Sequence, residues 1–381
     1  MKLLYFVTED WYFCSHRLPI ARAARDAGCE VVVATHVDAH GGTITREGFR
    51  LIPLQMRRRS KNPLRELAAV LEIISIYRRE RPDLVHHVAL KPVLYGALAA
   101  RFTGVSAVVN ALAGLGYVFS SSQSRARILK RFVRAAFRAL LNRQNSVVLL
   151  QNPDDQRMLI ESKTILPERT ALIRGSGVNI QRFRPSPELD DGSVMVTLVA
   201  RMLRDKGILE FVEASRFLRQ QGVQFRAVLV GTPDPDNPTS ISVSQLEAWQ
   251  AEGLIEWWGK NNDIPSVWVQ SHIAVLPSAY GEGVPMSLIE AAACGRPIIT
   301  TDMPGCREIV QHEKNGLLVP IKDSKALADA ICRLIENPGL RRQMGQEGRK
   351  LVEKEFSEAV VVEQTLKLYQ SMLGELWPSR G

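Results

Sequence analysis

Two carboxylates stand eight residues apart in GEGVPMSLIEAAACGRPIIT, the stretch at positions 281–300. Glu282 lies before a Gly-Val-Pro turn, and Glu290 lies within the helix that the sequence predicts after it. Pro285 suits the first position of that helix and Gly295 suits its end. Because a helix rises 1.5 Å per residue, Glu290 lies only about 7.5 Å beyond the turn. Its carboxylate can therefore point back toward the loop, where the helix start offers N–H donors to an anion.

Two cations occur at another predicted strand-to-helix junction, in LVARMLRDKGILEF. Arg201 comes at the carboxyl end of the strand and Lys206 opens the helix that follows. The carboxyl ends of parallel strands meet at one edge of a sheet, so both side chains are expected to face the same cleft as Glu282. Together they can neutralise a diphosphate. No Walker lysine motif and no G-x-G-x-x-G motif is present, which argues against P-loop and dinucleotide-binding proteins.

The elements that must position these groups alternate along the chain. Buried strands (LLYFVT, EVVVAT, LVHHV, AVVNAL, VVLLQ) alternate with helical patterns in HRLPIARAARDAG and at 63–80, 91–102 and 123–143. The alternation breaks at 182–193, RFRPSPELDDGS, and then restarts with VMVTLVA. A length of 381 residues also favours two cores. We predict an α/β fold of two doubly wound, Rossmann-like parallel sheets facing across a cleft, joined by a linker at the break.

Composition narrows the class of protein. A hydrophobic fraction of 45% and a charged fraction of 23% leave no room for extensive disorder. Five scattered cysteines without a C-x-x-C spacing suggest neither a disulfide framework nor a zinc site, which favours a reducing cytosol. The N-terminal apolar run is too short for a signal peptide and predicts a first strand. The uncharged stretch 102–124 is interrupted by Asn, Gly and Ser, so a buried strand followed by a loop is favoured over a membrane span.

The positive charge is concentrated in the first half of the chain. Residues 1–185 contain 29 Lys and Arg against 14 Asp and Glu, whereas the remainder contains 20 against 26. In the helix predicted at 123–143, one face carries Arg127, Lys130, Arg131, Arg134 and Arg138, and the opposite face carries Leu129, Phe132, Ala136 and Leu140. Two interpretations stay open, an element that docks on anionic lipid and a solvated helix whose apolar side joins the core. Nucleic-acid binding is disfavoured because no recognised motif accompanies the charge. The role of a second basic cluster, Arg57, Arg58, Arg59 and Lys61, is open in the same way.

Four segments of the second half together resemble a known family. ARMLRDKG, GKNNDIPSVW, PSAYGEGVPMSLIEAAACGRPIITTDMPGCREIV and NGLLVP closely resemble the C-terminal nucleotide-sugar domain of retaining family-4 glycosyltransferases of the GT-B fold. In the first half, SHRLPIARAARDAG, PDLVHHVALKP and NALAGLGYVFSS resemble the members that act on polyprenyl-diphosphate-linked sugars. The resemblance implies an acceptor domain at 1–185, a nucleotide-sugar domain at 190–356 and a last segment, 357–381, that packs back on the first domain.

The resemblance also implies roles for individual residues. It makes Glu290 the acceptor of hydrogen bonds from the ribose, places Glu282 on the donor sugar, and assigns the diphosphate to Arg201 and Lys206. Further nucleotide-sugar contacts are expected from Gly283, Val284, Gly259, Lys260 and Asp263. The catalytic group would comprise Glu282, His86, Arg201 and Lys206. Acceptor contacts are expected from His16, Arg17, Lys91, Gly114 and Tyr117. Since the cation pair can do the work of a divalent ion, we expect no metal and no cofactor.

Some features depart from the family pattern or allow alternatives. Pro285 replaces a glycine of many members, and the first loop, EDWYFCSHR, lacks their glycines and looks suited to the acceptor. His16 could instead simply start a helix. Of His86 and His87, one is expected in the cleft and the other in the core.

The function expected from these features is transfer of a hexose or N-acetylhexosamine, from a UDP-linked donor, to a lipid-linked saccharide in bacterial surface polysaccharide assembly. The expected location is peripheral, on the cytoplasmic face of the inner membrane. Two alternatives are a GT-B sugar-nucleotide 2-epimerase and a noncatalytic nucleotide-sugar-binding protein associated with the membrane.

Overall fold

The computed structural model describes residues 1–56, 62–112, 114, 124–189 and 192–378, and of 124–129 only the backbone. The chain forms two compact units. Unit 1 comprises Met1–Ser176 together with Ala359–Gly381, and unit 2 comprises Gly177–Glu358. Each unit is built on its own sheet, and the strand pairings of both sheets are parallel.

Unit 1 contains a seven-stranded sheet in the order β3-β2-β1-β4-β5-β6-β7. Its strands are β1 Lys2–Glu9, β2 Glu30–His36, β3 Arg50–Pro53, β4 Leu84–Val88, β5 Ala107–Leu112, β6 Ser146–Leu150 and β7 Thr170–Leu172. Its helices are α1 Asp10–His16, α2 Leu18–Asp26, α3 Gly41–Arg46, α4 Pro63–Glu80, α5 Leu90–Thr103, α6 Ser124–Leu141, α7 Pro153–Glu161 and, at the other end of the chain, α15 Glu358–Leu373. Successive apolar residues of β1 and β4 are buried on both faces of the sheet, as a parallel sheet covered by helices requires.

Unit 2 contains a six-stranded sheet in the order β10-β9-β8-β11-β12-β13. Its strands are β8 Met195–Val199, β9 Arg226–Val230, β10 Glu256–Trp257, β11 Ile273–Leu276, β12 Ile298–Thr301 and β13 Gly316–Val319. Its helices are α8 Ile208–Gln220, α9 Val243–Ala251, α10 Ile264–Gln270, α11 Met286–Ala293, α12 Cys306–Ile309, α13 Ser324–Glu336 and α14 Pro338–Leu351. The predicted class of two doubly wound Rossmann-like sheets is confirmed.

The division between the units falls earlier than the break in the sequence pattern. Val178 and Phe183 belong to the hydrophobic core of unit 2, so the residues just after Ser176 already pack there. Within the predicted linker, Glu188 pairs with Arg341 through two hydrogen bonds of 3.0 and 2.8 Å. This segment is therefore anchored to unit 2, and the boundary expected at 185 moves to 176.

The C-terminal helix α15 belongs to unit 1. Val361, Tyr369 and Leu373 of this helix join the core cluster that includes Tyr5 and Phe13. Among the helices of the described ranges, none is both long and apolar enough to cross a membrane.

Candidate active site

The predicted donor residues follow two neighbouring strands of unit 2. The strand order is β9-β8-β11-β12. After β8 the chain continues to β9, which lies on one side of β8, and β11 lies on the other side of β8. Ligands of doubly wound sheets bind at this switch point, outside the carboxyl ends of the strands. Arg201 and Lys206 lie in the loop after β8, and Glu282 lies in the loop after β11. The topology therefore brings the three charged residues to one edge.

Lys206 and Glu282 form an ion pair within this edge. Lys206 Nζ donates to Glu282 Oε2, and the hydroxyl of Ser278 lies 2.9 Å from Glu282 Oε1. Both charged side chains are largely shielded from solvent. Lys206 lies in a short 3-10 turn before α8, not in the helix as the sequence predicted. The turn places its ammonium beside the loop that carries Glu282, so the two loops are linked through a charge-assisted hydrogen bond.

The turn after Glu282 is held by a glycine on the neighbouring loop. Gly305, with φ of 84°, packs so closely that a Cβ there would lie 1.8 Å from the carbonyl oxygen of Gly283 and 2.5 Å from that of Glu282. Val284 is buried in the core of the unit. Pro285 is the N-cap of α11 and not its first helical residue. This packing fixes the backbone that leads into the start of α11, where the first N–H groups have no acceptor within the helix.

Arg201 has a carboxylate partner that the sequence analysis missed. Its Nη1 lies 2.6 Å from Asp234 Oδ2, and Asp234 follows the carboxyl end of β9. A polar residue at that position was a signal available in the sequence. On the same side, the N–H of Gly231 donates to the carbonyl of Gly259 at 2.7 Å. Lys260 and Asp263, predicted beside the nucleotide, are exposed residues of the loop after β10.

Glu290 lies in a partly buried position on α11. Burial raises the pKa of its carboxyl to about 7, while the nearby Trp268 indole and Arg182 act in the opposite direction. The Trp268 N–H is enclosed and makes no well-formed hydrogen bond of its own in the described structure. Near neutral pH the carboxyl is thus divided between its two protonation states, and a hydrogen-bond donor at this site would favour the ionised state.

The predicted first loop of unit 1 is largely the helix α1. The buried carboxylate of Asp10 accepts hydrogen bonds from the backbone N–H groups of Trp11, Asp38 and His40. These bonds connect the start of α1 to the loop after β2. The His16 ring stacks on Tyr12 at 4.1 Å. Burial and the neighbouring arginine, Arg17, lower the pKa of His16 to about 3, so this side chain is neutral at physiological pH.

Arg17 points into the interior of unit 1. Its side chain is 2% exposed, its Nη1 lies 3.4 Å from Ser176 Oγ, and its enclosed Nε has no partner among the described residues. It lines a small internal cavity together with Gln151 and Thr365. The surface contact with the acceptor expected of Arg17 therefore does not fit its burial.

The two histidines of β4 are both buried, which differs from the expectation that one would face the cleft. His86 is fully enclosed, and its Nδ1 is hydrogen-bonded to the hydroxyl of Tyr369 on α15. His87 is equally enclosed between Asn110 and the hydroxyl of Tyr77, each 2.8 Å away. Successive strand residues face opposite sides of a sheet, and here both sides are covered. The burial of His86 argues against the catalytic role expected of it.

The remaining acceptor residues are only partly described. Lys91, at the start of α5, places its Nζ 2.9 and 3.0 Å from the two carboxylate oxygens of Glu66. Gly114 has a φ of 125°, and Tyr117 lies outside the described residues. Lys91 is thus positioned at the carboxyl edge of unit 1, but already within an ion pair.

The basic helix α6 packs differently from its predicted faces. Among the side chains described for this helix, Val133, Phe137 and Leu141 are buried, whereas Phe132 is 70% exposed. Of the two interpretations left open, the one in which the side bearing Phe132 joins the core is therefore wrong for Phe132. The reason is that the buried residues centre on Phe137, about 140° around the helix from Phe132.

The predicted basic face of α6 is likewise uneven. Arg131 is exposed, whereas Arg134 is half-buried. Burial and Arg134 lower the pKa of Lys130. The guanidinium of Arg138 donates to the carbonyls of Lys163 and Ser162 at 2.7 and 2.8 Å. The side chain of Arg127 lies outside the described part, as does the cluster 57–61, so Arg131 is the clearest candidate for a lipid contact among the described members of this face.

Unit 2 also contains a cavity of about 420 Å³ away from these loops. It is lined by the segment 185–188, by Gly295 and Arg296, and by residues of α14. Gly295 follows the far end of α11, so the cavity lies toward the amino edge of the sheet, opposite Glu282. Across the described ranges, no group of three or more His, Cys, Asp or Glu side chains is arranged to hold a metal ion.

Comparisons with known proteins match both halves of the chain. Residues 2–152 match the family described as glycosyl transferase 4-like, and residues 179–351 match glycosyl transferases group 1. The N,N'-diacetylbacillosaminyl-diphospho-undecaprenol alpha-1,3-N-acetylgalactosaminyltransferase of Campylobacter jejuni is 26% identical over 94% of this chain and 95% of its own length. An Escherichia coli UDP-Gal:alpha-D-GlcNAc-diphosphoundecaprenol alpha-1,3-galactosyltransferase is 23% identical over 81% of each chain.

Solved structures agree with the family matches at the level of the fold. The crystal structure of Anabaena Alr3699/HepE in complex with UDP aligns with a TM-score of 0.78 and 20% identity, covering 97% of this chain and all of that chain. The chain is therefore a glycosyltransferase of the GT-B fold, with a family-4-like N-terminal unit and a group 1 C-terminal unit.

Proposed function

We propose that the protein transfers a hexose or N-acetylhexosamine from a UDP-linked donor to a polyprenyl-diphosphate-linked saccharide, with retention at the anomeric carbon, in the assembly of a bacterial surface polysaccharide. The observation that carries the proposal is the pair Lys206–Glu282 at the switch point of unit 2. The names of the Campylobacter and Escherichia relatives support the lipid-linked acceptor. The UDP in the Anabaena complex supports the nucleotide.

In the proposed reaction the bond between the anomeric carbon and the diphosphate breaks, and a bond to an acceptor hydroxyl forms on the same face of the sugar. The acceptor proton passes to the departing diphosphate. Lys206 and Arg201 compensate the charge that develops on this leaving group, and no metal is required. Glu290 accepts hydrogen bonds from the ribose hydroxyls, and the backbone at Gly283 and Val284 lies along the sugar.

Both cations are paired with carboxylates in the structure, Lys206 with Glu282 and Arg201 with Asp234. An incoming diphosphate competes for them, so binding exchanges protein ion pairs for contacts with the ligand. Glu282 is then released toward the sugar, where it can accept hydrogen bonds from hydroxyl groups. These ion pairs keep both cations in place without leaving a partly buried charge alone.

We further propose that the protein works at the cytoplasmic face of the inner membrane, where Arg131 and neighbouring basic residues of α6 attract anionic lipid. A lipid-linked acceptor has its diphosphate at that surface.

The direct test combines purified protein, a panel of UDP-hexoses and UDP-N-acetylhexosamines, and a polyprenyl-diphosphate saccharide. We expect UDP release that depends on the acceptor and continues in EDTA, with a product one sugar longer whose anomeric configuration matches the donor. Lys206→Ala should reduce release by two or more orders of magnitude, whereas Arg216→Ala, which breaks an exposed pair with Glu252, should leave it unchanged. Formation of an epimerised nucleotide sugar without acceptor would contradict the proposal.

A further inference from the structure

Helix α4 presents an apolar face that no element of the described structure covers. Its inner side packs on the sheet through residues of the unit 1 core, Ala69, Ile73, Ile76 and Tyr77. On the outer side, Leu64 is 75% exposed and Leu67 and Leu71 are each 57% exposed. Positions spaced by three and four residues share one side of a helix, so the three leucines form one stripe, here called the leucine face. Contiguous exposed apolar residues of this size mark an interaction surface.

The leucine face lies at the edge of the sheet where the acceptor is proposed to bind. Glu66, between Leu64 and Leu67, pairs with Lys91 at the start of α5, directly after β4. The hydroxyl of Tyr95 donates to the same carboxylate. These bonds fix the first half of α4 at the carboxyl end of β4, one of the two strands that flank the switch point of unit 1.

The charge around the leucine face indicates what covers it. Arg65 is exposed on the same helix, to one side of the stripe, and Arg57, Arg58, Arg59 and Lys61 precede the helix in the sequence. In the same layer of helices, α6 adds exposed Arg131 beside exposed Phe132. A second copy of the chain would bring this excess of positive charge against itself, whereas an anionic bilayer offers both negative headgroups and apolar depth.

We propose that the leucine face of α4 inserts into the boundary between headgroups and acyl chains of an anionic bilayer, and so holds the carboxyl edge of unit 1 at the membrane surface. The inference rests on the proposed function for the lipid-linked nature of the acceptor. A polyprenyl diphosphate emerging from the bilayer then meets the loops after β1 and β4. The basic side chains attract the anionic headgroups electrostatically, and salt screens this attraction. The leucines add hydrophobic binding energy, which salt does not remove.

The test is cosedimentation of the full chain with vesicles of phosphatidylethanolamine and phosphatidylglycerol, at low salt and at about 1 M salt, where charges are screened beyond about 3 Å. The variant carries Leu64→Gln, Leu67→Gln and Leu71→Gln. The matched control carries Leu166→Gln, Leu189→Gln and Val243→Gln, which are exposed apolar residues elsewhere. We expect the native chain and the control to stay vesicle-bound at high salt, and the leucine variant to lose at least tenfold in partitioning there.

Equal partitioning of the leucine variant and the native chain would overturn the inference. So would light scattering that shows a dimer of the native chain and a monomer of the variant, since the face would then join two copies. Thermal melting and UDP binding of the variant should match the native chain, because the three side chains are exposed.

A separate readout isolates the proposed function. Transfer to a short water-soluble acceptor should survive in the leucine variant. If the native chain binds vesicles through the leucines but transfers no sugar, the proposed function fails and the inference stands. If it transfers sugar but the variant binds vesicles normally, the inference fails alone.

Discussion

Replacing Glu290 with glutamine should stabilise unit 2 at high pH while weakening nucleotide binding. Burial raises the pKa of this carboxyl from an ordinary 4.5 to about 7. A raised carboxyl pKa means that the fold holds the proton more tightly than the unfolded chain does. The resulting stability is therefore fully present below pH 4.5 and is lost as the pH rises through 7. At 1.36 kcal/mol per pKa unit, the loss is about 3 kcal/mol.

Denaturant unfolding followed by tryptophan fluorescence can measure this loss. Trp249, Trp257, Trp258 and Trp268 belong to unit 2, so the emission reports mainly on that unit. Between pH 5 and pH 8, the free energy of unfolding of the native chain should fall relative to that of Glu290→Gln by an amount approaching 3 kcal/mol. A difference that stays constant over this range would refute the assigned burial of the carboxyl.

Nucleotide binding should show the opposite preference. Ribose hydroxyls donate to the ionised carboxylate, so UDP binding at pH 6 should release close to one proton, and affinity should rise with pH until about 7. Calorimetry in two buffers of different ionisation enthalpy measures this release. In Glu290→Gln the release should disappear and UDP should bind more weakly by about 1.5 to 3 kcal/mol for each bond lost. Proton release that persists in the variant would show that another group is responsible.

Three further substitutions test the neighbouring groups. Lys206→Ala should reduce sugar transfer by two or more orders of magnitude, and UDP affinity should be measured on the same variant. A requirement of the native protein for added Mg²⁺ would contradict the metal-free scheme. Asp234→Asn should free Arg201 from its ion pair and tighten UDP binding several-fold in calorimetry, a gain that Arg201→Ala must cancel. Gly305→Ala should abolish sugar transfer because the new Cβ collides with the turn after β11. The matched control is Gly253→Ala, which is also at positive φ but has open space around it. This control should keep its transfer activity and lose only about 1 kcal/mol of folding stability, measured by thermal melting.

The sequence predicted the framework of the fold well because its signals are periodic. Alternating strand and helix patterns predicted α4 at the bounds the structure has, since Asn62 caps its start and Pro63 occupies its first position. It also predicted that Lys206 and Glu282 would lie at the same edge of the sheet, because both follow strands that flank one switch point; their direct ion pair was not predicted.

Other features depend on packing that no local pattern encodes. Nothing in the linker pattern indicates that Val178 and Phe183 join the second core. The rotation of α6 about its axis decides that Phe132 is exposed, and sequence periodicity leaves that rotation uncertain. The sequence suggested that His86 is a site residue because it follows the apolar start of LVHHV, but in the structure it lies in the middle of β4 and Tyr369 of α15 covers it.

The central claim is that the nucleotide sugar binds at the loops after β8 and β11 of unit 2. Amide hydrogen exchange of the full chain with and without UDP, in EDTA, tests it most directly. We predict that UDP protects residues 200–207 and 278–290 while leaving 185–188 and 342–350 unchanged. Protection confined to 185–188 and 342–350 would instead place the nucleotide in the 420 Å³ cavity at the opposite edge of the sheet and contradict the claim.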